Sequence, residues 1–330
     1  MNDRKKTMDY THLNHYVPPV SEGMSDAWKR LLAHLGEYTA LVVRALNLRP
    51  TAVTLYGQTE QHLLVRISTP DEHLILRIAP EDDLAAHVFF LRMMSAQNLP
   101  AARLIQRDLS CTLVPFAYTL ETFTPGVPAA ALGEPHLLHG AGRQAGRALR
   151  RMHRISTPGA GRPRMTGRWP QMSWRQVLRR IGEHVALPPT DALLFSEAER
   201  TAVALLLDDE RLEVIRPVLM HGAFGPAVVR CTTGTGVHLE AIEQPGRWVG
   251  GDGLWDLACG LCPVYPEPWR EGLLEGYGVA GPLTSTEEER LPLLRLLASF
   301  WLASYHYMRA QPYEAAREDA QRLIEILVAA

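Results

Sequence analysis

Across residues 25–48, apolar side chains stand at Trp28, Leu31, Leu32, Leu35, Leu41, Val42 and Leu46. That spacing of three and four predicts one amphipathic helix with Ser25 as its N-cap. The period then shortens. Stretches 52–56, 62–67 and 74–78 are rich in β-formers and are separated by Gly57-Gln58-Thr59 and Thr69-Pro70-Asp71, which predicts a three-stranded meander. Helical spacing returns over 84–94 and stops at Asn98-Leu99-Pro100. Two further strands, 103–106 and 115–123, end at Thr124-Pro125-Gly126, a turn that is read as a domain boundary. Beyond it helical patterns dominate, over 134–155, 172–186, 195–207, 266–278, 286–310 and 313–328. A strand pair, 228–230 and 236–242, interrupts them around Thr232-Thr233-Gly234-Thr235. The chain is therefore expected to be α+β, with an extension over 1–24, a small sheet-and-helix lobe over 25–123 and a larger helical lobe over 124–330. Residues 1–22 carry Pro18 and Pro19 and no sustained period, the pattern of a mobile or loosely docked extension.

Composition narrows the partners. With 330 residues, 46% hydrophobic and 21% charged, the chain can bury a core and is neither disordered nor collagen-like. Lys plus Arg (34) nearly balances Asp plus Glu (36), so no positive field argues for nucleic acid or for an acidic membrane surface. A small neutral or mixed-charge ligand is the expected partner. Lys5, Lys6 and Lys29 are the only lysines, which excludes Walker-type phosphate binding and Schiff-base chemistry in the folded body. Four cysteines make no disulfide framework, and the charged start MNDRKKTMDY has no apolar run behind it, so a cytoplasmic location is expected. No run of 18 apolar residues predicts a spanning helix.

Three motifs receive bland readings. Cys259 and Cys262 form a lone CxxC on the helix expected after Asp256, where core packing explains two small thiols on one face. GAGRQAG over 140–146 resembles a dinucleotide fingerprint but follows HLLH rather than a strand, so helix packing explains it. The Arg-rich stretch 143–180, with Trp169 and Trp174, is read as solvated helix faces with ion pairs.

Two longer segments carry a resemblance. VLMHGAFGPAVVR (218–230) and HLEAIEQPGRWVGGDGLWDLACGL (238–261) resemble the aminoglycoside phosphotransferase family, which includes choline-kinase-like proteins; His221, Gly222, Pro226, Asp256, Leu257 and Ala258 match its motifs. A Gly loop between the first strands, the LILRI strand, the NLP turn, TLETFTPG, RALRRMHRI and LLEGYG follow in the family's order, so the resemblance spans roughly residues 50–310. It implies a two-lobed protein-kinase-like fold. It also implies a cleft between the lobes for ATP or another nucleotide, contacted by Gly57 and Gln58 of the Gly loop, Arg77 of LILRI, and Leu120, Glu121 and Thr122 at the hinge.

The reactive positions of that family are altered here. Phosphoryl transfer needs a carboxylate near the acceptor hydroxyl, oxygen ligands on magnesium and a cation on the phosphates. The family's catalytic Asp falls on Ala223, and its metal-binding Asn on Val228, whose side chain offers a hard cation no oxygen. For the second metal ligand two registers stay open. Counting twelve residues back from Asp256 selects Gln244, and counting from Ile242 selects Glu243; a Glu can hold magnesium, a Gln does so poorly. Arg77 replaces the phosphate-pairing Lys, and its helix-borne Glu partner falls on His87, so that ion pair is expected to be missing. His221 and Asp256 are read as structural remnants that hold the loop. Glu240, Glu243 and Asp252 are read as solvated carboxylates ahead of a displaced metal site. The expectation is a pseudokinase that binds a nucleotide or small ligand, holds no magnesium and transfers little or no phosphate. The alternative is an active ATP-dependent small-molecule kinase, aminoglycoside- or choline-kinase-like, with Glu243 as a substitute metal ligand. No residue between 156 and 215 identifies an acceptor, and the N-terminal helix and extension are the surface to inspect for a protein partner.

Overall fold

A computed structural model describes residues 8–17, 24–59, 61–185, 188–279 and 281–327. The chain divides into two compact units. One runs to Leu91 and takes in Ala102–Phe123; the other comprises Arg92–Ala101 and the chain from Thr124.

In the first unit the helix expected over 25–48 is two helices, α1 (Asp26–Ala33) and α2 (Leu35–Ala45). Ser25 caps the first, its hydroxyl accepting from the Trp28 N–H at 3.4 Å. The break at His34, with φ at −127°, has a tertiary cause. A β-carbon on Gly36 would collide with the Tyr10 carbonyl, and the Gly36 N–H donates to Asn14 Oδ1 at 2.6 Å. The N-terminal segment thus presses against the chain where a straight helix would need side-chain room. Of the extension, residues 1–7 and 18–23 lie outside the described residues. The part that is described is firmly docked, contrary to expectation. Leu13 is buried in the core, His12 Nε2 bonds the Val53 carbonyl at 2.8 Å, and the Tyr16 hydroxyl donates to Gln58 at 2.9 Å.

Five antiparallel strands follow: β1 (Ala52–Gln58), β2 (Leu63–Ser68), β3 (His73–Ala79), β4 (Leu104–Asp108) and β5 (Ala117–Thr122), in the order β1-β2-β3-β5-β4. Helix α3 (Ala85–Ala96) enters after β3. Alternate side chains of β2 and β3 (Leu63, Val65, Ile67; Leu74, Leu76, Ile78) pack with Trp28, Leu31 and Leu35, as the period of two requires. Gly57 and Gln58 lie within β1, beyond a register shift at Leu55/Gly57, and not in the turn that the sequence suggested.

The second unit starts with β6 (Val127–Pro128) and α4 (Pro135–Met152), then α5 (Trp174–Val185), α6 (Pro188–Leu194) and α7 (Glu197–Leu206). Strands β7 (Val218–Leu219), β8 (Val229–Thr233), β9 (Val237–Ile242) and β10 (Gly250–Gly251) form two small sheets, β6-β8-β9 and β10-β7. Helices α8 (Leu254–Gly260), α9 (Glu267–Val279), α10 (Ser285–Met308) and α11 (Glu314–Leu327) complete it. Helix α8 begins at Leu254, so Asp256 sits in its first turn and not ahead of it. The glycines of GAGRQAG are packing residues: Gly142 and Gly146 of α4 face Gly272 and Gly276 of α9, and a β-carbon on any of the four would strike the opposite backbone. Cys259 and Cys262 are buried thiols. Among the described residues, no helix is long and apolar enough to cross a membrane.

Candidate active site

In the sheet unit the chemistry gathers on Arg77. Its partner across the ladder is Thr119 of β5, and two residues on, diagonally placed on the same face, is Glu121. Arg77 Nε donates to Glu121 Oε1 at 3.0 Å and Nη2 to Oε2 at 3.4 Å. His87 Nε2 donates to Oε1 at 2.7 Å, and the Thr119 hydroxyl donates to the same oxygen. Arg77, His87 and Glu121 are all buried. Burial pushes the Glu121 carboxyl up, but the Arg77 guanidinium and His87 outweigh it and hold the group well below the usual carboxylate range. Burial also pushes His87 down, against the pull of Glu121, so a neutral imidazole makes the contact. The expected loss of the ion pair is therefore corrected: the carboxylate comes from strand β5 instead of helix α3, and His87 joins it instead of repelling Arg77.

His62 completes the cluster. Its Nδ1 lies 3.4 Å from Arg77 Nη1 and its Nε2 3.4 Å from Asp82, and burial lowers its pKa to about 4. Of the expected nucleotide contacts, the Glu121 side chain is committed inside the unit and that of Leu120 is buried. The Thr122 hydroxyl accepts from the Arg103 N–H at 2.9 Å. Gln58 is bonded to Tyr16, while Gly57 has open space where a β-carbon would stand.

In the helical unit the loop 221–228 hangs on Asp256, which is fully buried. One carboxylate oxygen accepts from the His221 N–H at 2.5 Å and the other from the Gly222 N–H at 2.7 Å. His153 Nε2 donates to the first at 3.2 Å. The buried His221 ring braces the loop from the other side: Nε2 donates to the Glu243 carbonyl at 2.8 Å, and Nδ1 accepts from the Ala223 N–H at 3.3 Å. Burial lowers its pKa, consistent with the neutral tautomer these bonds require. Gly222 has φ at +82°, and a β-carbon there would collide with the Trp248 carbonyl, so only glycine fits.

The two positions on this loop where the resemblance places a base and a metal ligand carry no polar side chain. Ala223 presents an exposed methyl group, and Val228 is half-buried at the end of a 3-10 turn, Pro226–Val228. Glu243 directly follows β9 but is tied to Arg230, whose Nη2 and Nε lie 3.1 and 3.3 Å from its Oε2. Gln244 takes a left-handed conformation, φ +53°. Among the described residues, no three of His, Cys, Asp or Glu gather to hold a metal ion. This donor set does not fit magnesium: a methyl, an isopropyl and a carboxylate neutralised by its neighbour stand where oxygen ligands are needed. Two of the carboxylates expected in solvent are paired. Asp252 is buried, 2.6 Å from Arg290 Nε, and Glu243 carries the Arg230 contact.

Sequence reasoning missed Arg230, Thr119 and His62. A signal existed for Arg230: in the β8–β9 hairpin it pairs with Ala241, two residues from Glu243, within diagonal reach. Thr119 and His62 depended on the register of β5 and β2 against β3, which residue spacing alone does not give.

A twisted antiparallel sheet with one inserted helix, joined to a helical unit whose hairpin follows a His-Gly loop pinned by a buried Asp, defines the two-lobed kinase-like class. Residues 57–293 match the profile of the phosphotransferase enzyme family, and the chain belongs to that family. The aminoglycoside phosphotransferase APH(4)-Ia, as a thermostable mutant in its apo form, superposes with a TM-score of 0.61 at 15% identity, over 88% of this chain and 99% of that one. An Asp-to-Ala variant of it, in ternary complex with ADP and hygromycin B, gives 0.60 at 16% identity, over 87% and 97%. The macrolide 2'-phosphotransferase MphH from Brachybacterium faecium gives 0.55 at 16% identity, over 86% and 97%. No curated protein matches the chain.

Proposed function

We propose that this protein is a pseudokinase: a phosphotransferase-family chain that binds a nucleotide or small ligand and transfers little or no phosphate. The observation that carries the reading is the loop 221–228, held by Asp256 and His221 but bearing Ala223 and Val228 where a base and a metal ligand are needed. A general base contributes about 10²–10⁴-fold, and metal ions supply much of the charge stabilisation in phosphoryl transfer. Substitution by Glu243 is disfavoured because Arg230 already neutralises it. Retained binding without an intact site has a parallel in the APH(4)-Ia variant, which lacks one Asp yet was crystallised with ADP and hygromycin B. A reducing, cytoplasmic setting fits four cysteines that are all unpaired.

A thermal-shift series with ATP and ADP, each with magnesium and with EDTA, tests this. Ligand at a hundred times its Kd stabilises by about 2.7 kcal/mol, and that gain is expected to be the same with and without the metal. Stabilisation that requires magnesium, together with transfer of labelled phosphate to a hydroxylated metabolite, would overturn the proposal. No shift with either nucleotide would remove its nucleotide half.

A further inference from the structure

The β8–β9 pair carries a cation where it meets the loop 221–228. Arg230 of β8 stands opposite Ala241 of β9, and Glu243, two residues further along, is its diagonal neighbour, within reach of a long side chain. The Glu243 backbone is pinned to the loop on both sides: its N–H donates to the Val228 carbonyl at 2.8 Å, and its carbonyl accepts from His221 Nε2 at 2.8 Å. The guanidinium is equally well placed. Its Nε and Nη2 donate to Glu243 Oε2 at 3.3 and 3.1 Å, and its Nη1 donates to the Gly126 carbonyl at 3.2 Å. Gly126 directly precedes β6, which pairs with β8 through Val127–Cys231 and Pro128–Arg230. One side chain thus ties together the three segments of a small sheet.

We infer that Arg230 is the resident cation of this site: its guanidinium occupies the place beside Glu243 that a divalent ion would need, and it is the residue that keeps such an ion out. The inference rests on the metal-indifferent binding proposed above and names the group responsible for it. Three properties separate this pair from an ordinary surface contact. The two side chains are only 12% and 19% exposed, so water and salt screen them weakly. The single negative charge of Glu243 is already balanced, and a divalent ion beside it would meet a like charge at close range. Finally, the arginine charge does not dissociate and does not titrate near neutral pH.

Magnesium needs oxygen ligands in a strict geometry, so the isopropyl group of Val228 and the occupied carboxylate of Glu243 are separate obstacles. Restoring an oxygen at 228 is therefore not enough while Arg230 remains.

The test is titration of the full chain with Mn²⁺, without nucleotide, followed by electron paramagnetic resonance of the free ion. Val228→Asn supplies a side-chain oxygen. Val228→Asn/Arg230→Gln, in which the glutamine can still donate to the Gly126 carbonyl but carries no charge, is expected to bind Mn²⁺ at least tenfold more tightly than Val228→Asn. Adding Glu243→Gln should cancel that gain, and Val228→Asn/Arg230→Lys, which keeps the charge, should not show it. If Val228→Asn unfolds by circular dichroism, Arg230→Gln is compared with the wild type, and at least threefold tighter binding is expected. Equal Mn²⁺ affinity with and without Arg230, no saturable binding by a folded Val228→Asn/Arg230→Gln, or a gain that survives Glu243→Gln would overturn the inference. Because the titration contains no nucleotide, a wild type that ATP and ADP fail to stabilise would remove the nucleotide half of the proposed function and leave this comparison to decide the role of Arg230.

Discussion

Glu121 offers the sharpest test of what balances the buried Arg77 charge in the sheet unit. The variant Glu121→Gln keeps the shape of the side chain but removes the charge that compensates Arg77, and it turns an NH₂ group toward donors from Arg77, His87 and Thr119. Arg77 is 4% exposed and Glu121 2% exposed, so water cannot take over. Breaking a buried pair from one side costs about 3–5 kcal/mol, a large part of the roughly 5–15 kcal/mol that keeps a domain folded. With a urea dependence of about 1–3 kcal/mol per molar, the unfolding midpoint should fall by about 2 M.

The assay is urea unfolding followed by circular dichroism, with hydrogen exchange at the β3 amides reporting on the sheet unit alone. Removing both charges in Arg77→Met/Glu121→Leu should cost less than the sum of the single replacements, because no unpaired ion is left behind. The His87 N–H and Thr119 hydroxyl still lose their acceptor, at about 1 kcal/mol or more each, so recovery is partial. A loss below about 1 kcal/mol for Glu121→Gln, or strictly additive behaviour in the cycle, would show that the pair does not hold the unit together.

Two further outcomes are expected. Because burial depresses His62 from 6.5 to about 4, the unfolded chain takes up its proton first; stability is complete above about pH 6.5 and falls as pH drops toward 4, by about 3 kcal/mol from this residue. Urea titrations at pH 7 and pH 4.5 should show that loss, and His62→Asn should remove its share of the slope; an unchanged slope would mean that the ring is not desolvated. The triple variant Ala223→Asp/Val228→Asn/Gln244→Asp should gain magnesium-dependent stabilisation by ATP in thermal-shift measurements, since the loop backbone is already in place; a folded triple variant that remains indifferent to magnesium would argue against an otherwise intact site.

Much of the plan was legible in the sequence, because period-two and period-3.6 patterns survive where packing merely selects a face, as in β2 and β3. What escaped was imposed from outside each segment. The break at His34 follows from Tyr10 lying against Gly36, a contact between residues 26 apart whose approach no local pattern encodes. The carboxylate that pairs with Arg77 sits on the neighbouring strand and not on the helix that carries His87, and finding it required the register Arg77 to Thr119. Asp252 looked solvated because it stands in a loop near a hairpin; its partner Arg290 comes from α10, far along the chain.

On the pseudokinase reading proposed above, the pattern of loss in the loop has a physical logic. The retained groups, Asp256 and His221, are fully buried and satisfy backbone amides and a carbonyl, so replacing either strands several buried polar groups at once. The altered positions are an exposed methyl and a half-buried isopropyl, where side chains serve substrate and metal and not the fold. Ala223 Cβ would lie 3.1 Å from a β-carbon placed on Gly246, which puts position 223 beside the turn that follows Gln244. Carboxylates at both places would repel each other without a cation between them. Neutral side chains there remove that repulsion, while the hydrogen bonds that shape the loop are untouched, so on that reading the loop can lack reactive groups and keep its architecture.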